Sequence, residues 1–223
     1  MADEPPAVGY YPFAPTEIPM HLFDNLDSGN GYKVRLLLAQ LGISYKWTNL
    51  DLDKGETRKP DFLKRNPNGR IPTLELDDGT NLAESNAILW YLAEGTQFVP
   101  NDRVCRAQVL QWMFFEQYSH EPYVATPRFI VKHLDATHPR VAELPERLTK
   151  GRAALAVMNG HLAKHRFFVA DQYTIADIAL YAYTHVADEG GHDLSPYPHI
   201  NAWLRLVASQ PRHVTLPATP KAA

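Results

Sequence analysis

Three short stretches hold residues that could do chemistry together. The first is Ser28-Gly29-Asn30-Gly31. It sits where a helix begins, and a serine hydroxyl or an asparagine amide there can donate to a thiolate and lower a thiol's pKa. The second is Ile71-Pro72, a proline opening a strand directly after a turn. That setting is compatible with a cis peptide. A cis bond would leave the Ile71 N–H and C=O free to pair with an extended peptide ligand. An edge-strand proline with no ligand is the plainer alternative. The third is Glu84-Ser85, at a strand-to-helix junction. Backbone N–H groups at a helix start attract anions, and the serine adds a hydroxyl. Glu84 could pair with an amine, so the two suit the zwitterionic end of an amino acid. Simple helix capping explains the same two residues.

The elements around these stretches alternate. Met20 to Asn25 reads as a strand, followed by the turn-rich Leu26 to Gly31 and a helix from Tyr32. Val34, Leu37, Leu38 and Leu41 form its apolar stripe, and Gly42 stops it. Ser44 to Leu52 alternates like a strand, and Pro60 to Lys64 reads as a helical turn. Asn66-Pro67-Asn68-Gly69 is a turn; Ile71 to Leu76 and Leu82-Ala83 form a hairpin about Asp77 to Thr80. Glu84 to Glu94 is a helix with Ile88, Tyr91 and Leu92 facing inward. After the linker the pattern is helical: Asp102 to His120, Leu144 to His165, Thr174 to Ala187, and a last stripe of Ile200, Trp203, Leu204 and Val207. Pro122 and Pro127 interrupt or kink the chain beyond the first of these helices.

The order of a βαβ unit, Asn66-Pro67-Asn68-Gly69-Arg70-Ile71-Pro72, Glu84-Ser85-Asn86-Ala87-Ile88 and an all-helical half resembles the cytosolic glutathione transferases of bacterial type. Tyr173-Thr174-Ile175-Ala176-Asp177 resembles that family's capping box. The resemblance spans Met20 to Arg212. It implies an α/β thioredoxin-like N-terminal domain (20–95), a linker (96–101) and an all-α C-terminal domain (102–212). A proline-rich arm (1–19) and a loose tail (213–223) flank them.

The resemblance also implies glutathione as co-substrate. Ile71 would pair with its cysteinyl backbone, and Glu84 and Ser85 would hold its γ-glutamyl end. Thr57 and Arg70 are further binding candidates, Arg70 toward the glycyl end. Ser28 and Asn30 are the catalytic candidates at the sulfur. Ser28 fits the serine-type classes, whereas Ser28-x-Asn30-Gly31-x-Lys33 is similar to the nu class of disulfide reductases, which dispense with a catalytic cysteine. The implied activity is activation of the glutathione thiolate for attack on a small electrophile or a disulfide, with a non-enzymatic glutathione-binding module as the alternative. The second, hydrophobic or disulfide, substrate is expected near Trp112, Phe115, Tyr118, Tyr123 and Arg128. A cytoplasmic homodimer is implied.

Other chemistries are set aside on composition. The 223 residues carry a formal net charge of −3, so no basic bias points to nucleic acid or an anionic membrane. No apolar run is long enough to span a bilayer. Cys105 is the one cysteine, which excludes an internal disulfide and CxxC spacings; it reads as a small buried residue at a helix start. His161 and His165 have the i, i+4 spacing of a zinc pair but no glutamate between them and no third ligand, so no metal is expected. Gly29 and Gly31 begin a dinucleotide fingerprint that Val34 ends.

Overall fold

The computed structural model describes residues 20–217. The arm over 1–19 and the end of the tail lie outside the described residues. Four strands form one sheet in the order β2-β1-β3-β4. Strand β1 (His21–Asp24) runs parallel to β2 (Lys46–Asn49), with Leu22 opposite Trp47, and antiparallel to β3 (Thr73–Glu75), with Leu22 opposite Leu74. Strand β4 (Asn81–Ala83) closes the hairpin with β3. Helix α1 (Gly29–Leu41) makes the crossover from β1 to β2, a connection that parallel pairing requires. A short helix, α2 (Pro60–Arg65), precedes β3, and α3 (Ser85–Ala93) follows β4.

Helix α1 starts three residues earlier than Tyr32, because Ser28 caps it: the Ser28 Oγ accepts from the Gly31 N–H at 3.1 Å. Gly42, at φ 72°, ends it as expected. The apolar stripe describes only one face of α1. Leu36, Lys33 and Arg35 are buried as well, since α3 and α7 both pack against the helix. The buried charges are paired, as burial demands: Arg35 with Asp24, Lys33 with Glu116. On α3 the inward residues are Ile88, Leu89 and Leu92; Tyr91 is 42% exposed. At about 100° per residue, Tyr91 falls to one side of the face that Ile88 and Leu92 share.

The remainder is helical: α4 (Arg103–Phe115), α5 (Glu121–His133), α6 (Leu144–Leu162), α7 (Ile175–Thr184) and α8 (Pro198–Ala208). The chain does not break at Pro122. A π-helical turn, Glu116–His120, joins α4 directly to α5, and Pro122, which has no N–H to donate, sits in the first turn of α5. The capping box at α7 is formed by Thr174 and Asp177. One apolar core runs from Leu22 and Leu74 of the sheet through α1 and α3 to Trp112, Leu155, Ile178 and Trp203. The tail is tied down as far as Val214, whose carbonyl accepts from the Tyr32 hydroxyl at 2.7 Å. Among the described residues, no helix is long and apolar enough to cross a membrane.

Candidate functional site

A cleft of about 320 Å³ opens where the sheet meets the helices. Asn30 of α1, the Asn68 to Pro72 segment and Glu84-Ser85 line one side; Gln117 and Glu121 line the other. The turn before Ile71 is braced from within. The buried Asn66 side chain accepts from the Asn68 N–H at 3.0 Å and donates to the Arg70 carbonyl at 2.8 Å. The Ile71-Pro72 peptide is cis. Pro72 leads straight into β3, so Ile71 stands at the cleft wall, just before the ladder begins.

Glu84 follows β4 in an unusual backbone conformation, φ 65° and ψ 114°, and its side chain does not cap α3. Non-glycine residues hold such angles only where the surroundings enforce them, commonly at ligand sites. The first N–H groups of α3 therefore face the cleft with no side-chain cap, an arrangement that favours a carboxylate. Arg70 and Glu84 line the same cleft with opposite charges.

Asn30 is held at three points. Its backbone N–H donates to the Tyr183 hydroxyl at 3.2 Å, its Nδ2 to Glu121 Oε1 at 3.0 Å, and its Oδ1 accepts from the Ser85 hydroxyl at 3.1 Å. The glycines on either side permit this closeness. A Cβ at Gly29 would collide with the Tyr183 ring, and one at Gly31 with the Asp24 carboxylate. Burial pushes the Tyr183 phenol far up, so it stays neutral. Lys33, fully buried, donates to Glu116 at 2.8 Å and to Ser85 Oγ at 3.4 Å, and lies 3.7 Å from Glu121 Oε2. Burial pushes the Glu116 carboxyl up to about 7, with Lys33 opposing and Glu121 reinforcing the shift.

The structure thus brings together Asn30, Arg70, Ile71, Glu84 and Ser85. Ser28 and Thr57 are not among the lining residues. Ser28 uses an oxygen lone pair on its own helix, and Thr57 is buried in the 3-10 turn Glu56–Arg58. None of the five residues expected around the second substrate lines this cleft. Trp112 is in the core, Tyr118 is 83% exposed, and Arg128 is buried, pairing with Glu189 at 2.7 Å and donating to the Asp27 carbonyl. Cys105 is partly exposed rather than buried. It lines a separate cavity with Trp112, His161 and His165, and its thiol is pushed up by the hydrogen bond to Asp102. The rings of His161 and His165 stack, with centroids 4.5 Å apart.

Sequence reasoning missed Gln117 and Glu121 as cleft residues. Both depend on the π turn. Residues five apart in an α-helix point about 140° apart; the wider turn puts Glu116 and Glu121 on the same side, both toward Lys33. An acid next to Pro122 is the only trace of this in the sequence.

The chain matches two family models: glutathione S-transferase, N-terminal domain, over residues 18–94, and glutathione S-transferase, C-terminal domain, over residues 112–211. It is 31% identical to the disulfide-bond oxidoreductase YfcG of Escherichia coli, over 82% of this chain and 87% of that protein. The solved glutathione S-transferase of Pseudomonas fluorescens is 52% identical and superposes with a TM-score of 0.85, covering 88% of this chain and 98% of that one. The structure of Ure2p in complex with glutathione superposes at 0.80 with 25% identity, covering 89% and 98%. A further relative is the URE2 protein of Eremothecium gossypii, 28% identical over 85% of this chain; the match spans 65% of that protein's length. The chain belongs to the glutathione S-transferase family.

Proposed function

We propose that this protein binds glutathione in the cleft at Ile71, Glu84 and Ser85 and activates its thiolate for attack on a disulfide or a small electrophile. The observation that carries the reading is the convergence in one cleft of the uncapped α3 start, Ile71 ahead of β3, and Asn30. The α3 N–H groups receive the γ-glutamyl carboxylate, Glu84 its amine, and Ile71 the cysteinyl backbone. Arg70 meets the glycyl carboxylate. Asn30 donates its amide to the sulfur, lowering the thiol's pKa by favouring the charged form. Catalysis is then proximity and electrostatics, since the nucleophile arrives with the co-substrate.

Disulfide reduction is favoured over conjugation by one feature: Asn30 lines the cleft and Ser28 does not. The similarity to YfcG, named a disulfide-bond oxidoreductase, supports the same reading. The glutathione thiolate attacks one sulfur of the disulfide, releasing the other as a thiolate that takes up a proton. A second glutathione resolves the mixed disulfide, so two thiols are oxidised to glutathione disulfide as one disulfide is reduced. Both reducing equivalents come from glutathione, because the chain has one cysteine and it lies outside the cleft.

The test is a paired assay with hydroxyethyl disulfide and chlorodinitrobenzene. A disulfide rate well above the uncatalysed control, lost in Asn30→Ala, is expected. Rates equal to the control for both substrates would sink the enzymatic reading and leave a glutathione-binding module, in line with the relative named transcriptional regulator URE2. We further propose a cytoplasmic homodimer joined through the α4 face that exposes Phe114 and the adjoining Tyr118, 68% and 83% exposed. Sedimentation giving a monomer mass at micromolar concentration would count against it.

A further inference from the structure

The geometry points to Lys33 and Glu121 as a pair of positioning residues that fix which way the Asn30 amide faces. Hydrogen-bond direction decides it. An ammonium has three donors and no acceptor, and a carboxylate only accepts. Lys33 approaches Ser85 Oγ at 3.4 Å, so the serine offers it a lone pair. The Ser85 proton is then directed elsewhere, to Asn30 Oδ1 at 3.1 Å. On the other side of the amide, Glu121 Oε1 lies 3.0 Å from Nδ2, and a carboxylate there admits only the N–H₂ end.

Both ends of the amide are assigned by these partners, with no free choice of flip. Lys33 and Glu121 close the ring, Oε2 lying 3.7 Å from the ammonium. That oxygen has no hydrogen-bond partner among the described residues. The chain of donors therefore runs one way, from Lys33 through Ser85 and Asn30 to Glu121, with the first and last links strengthened by a charge at one end. Of the two N–H groups on Asn30 Nδ2, Glu121 takes one. The other is left for the cleft that Asn30 lines. Reversing the amide would present an oxygen to a thiolate, which repels it.

Glu121 thus brings a residue of the helical half to bear on a group of the sheet half. The π turn is what allows it, holding Glu116 and Glu121 together on Lys33. The effect on the sulfur rests on the glutathione reading above; the orientation of the amide does not.

The test uses Glu121→Gln, a change of charge at nearly constant shape in a side chain 20% exposed. In ¹H–¹⁵N spectra of the full chain, the Asn30 side-chain NH₂ pair, assigned by its loss in Asn30→Ala, should shift. The thiol pKa of bound glutathione, titrated by thiolate absorbance, should rise by about one unit. The disulfide kcat below that pKa should fall about tenfold, with KM for glutathione changed less than about threefold. In an Asn30→Ala background, adding Glu121→Gln should move the thiol pKa no further. Unmoved Asn30 amide signals would overturn the proposal, as would an equal pKa rise in the Asn30→Ala background. Should Glu121→Gln not fold, Glu121→Asp must move the same amide signals. A wild-type chain that takes up no glutathione in a calorimeter defeats the glutathione reading alone; the amide signals still judge the orientation.

Discussion

Two helix starts in this molecule, at α7 and at α3, use similar residues to opposite ends. At α7 every polar group is satisfied internally. Asp177 accepts from the Thr174 N–H (2.9 Å), the Thr174 hydroxyl (3.1 Å), the Phe168 N–H (3.2 Å) and Trp203 Nε1 (3.0 Å). At α3 the residue in the cap position, Glu84, does not cap, and the Ser85 hydroxyl is turned away toward Asn30. The first closes a helix into the core; the second leaves its N–H groups for something else. An acid and a hydroxyl at a helix start thus stabilise the fold or prepare a site, and the difference lies in where the side chains point.

The comparison is broken most severely by Asp177→Ala. Four buried donors lose their shared acceptor, including the Trp203 indole, which is 2% exposed. Chemical denaturation should show a loss of about 3–4 kcal/mol. Protein that remains folded should bind glutathione with unchanged affinity. A loss confined to binding would mean α7 is not the structural start it is taken to be.

The far end of α7 is buried too, though the Nδ1 of His120 has no hydrogen-bond partner among the described residues, and pH tests how firmly it is closed. His120, wholly buried, donates from Nε2 to the Thr184 hydroxyl at 2.9 Å, and that hydroxyl donates on to the Leu180 carbonyl at 2.7 Å. Burial, with Lys33 and His192 nearby, pushes the imidazole down to about 3. The unfolded chain takes up a proton near pH 6.5 that the native state refuses, so the unfolded state binds more protons between the two values. Stability from this group therefore falls as pH drops below about 6.5. Between pH 7 and 5, wild type should lose up to about 2 kcal/mol more than His120→Gln. Parallel denaturation curves for the two proteins would show that His120 is free to protonate in the fold.

Ser85→Ala and Thr174→Ala sharpen the contrast at matched chemistry. Each removes one buried hydroxyl and should cost about 1 kcal/mol of stability. Only Ser85→Ala should weaken glutathione binding, by about tenfold, because only that hydroxyl sits in the cleft and orders Asn30. Equal affinities for the two variants in a titration would erase the distinction.

Legibility in the sequence divides along the same line. The capping box, the turn before Ile71 and the strand-to-helix junction at Glu84 are set by neighbours in the chain, and all are visible as short motifs. What Ser28 does is also local, yet ambiguous: the same hydroxyl can cap a helix or face a ligand, and the start of α1 at Gly29 settles that it caps. Arg128 misleads a reader of the sequence because its partners, Glu189 and Asp27, lie far away in the chain. Glu121 is invisible there because its direction depends on a π turn that no residue pattern announces. Lys33 stands within a recognisable motif, but its role appears only once Glu116, Ser85 and Glu121 surround it.

The smallest predicted effect has the opposite sign. Glu84 holds φ 65° and ψ 114°, outside the left-handed helical region and crowded for a residue with a Cβ, which glycine holds at less cost because it lacks one. No cap hydrogen bond from its side chain would be lost on substitution. Glu84→Gly should therefore stabilise the fold by up to about 1 kcal/mol, the relief of backbone strain offsetting the added freedom of the unfolded chain. It should also weaken glutathione binding, because the carboxylate proposed to meet the ligand's amine is gone. A stabilised protein with impaired binding is the signature of a residue kept for its ligand. The capping box offers no such trade, since Asp177 serves stability alone. If Glu84→Gly instead lost stability, Glu84 would be holding the α3 start together, and the two helix starts would differ in degree rather than in kind.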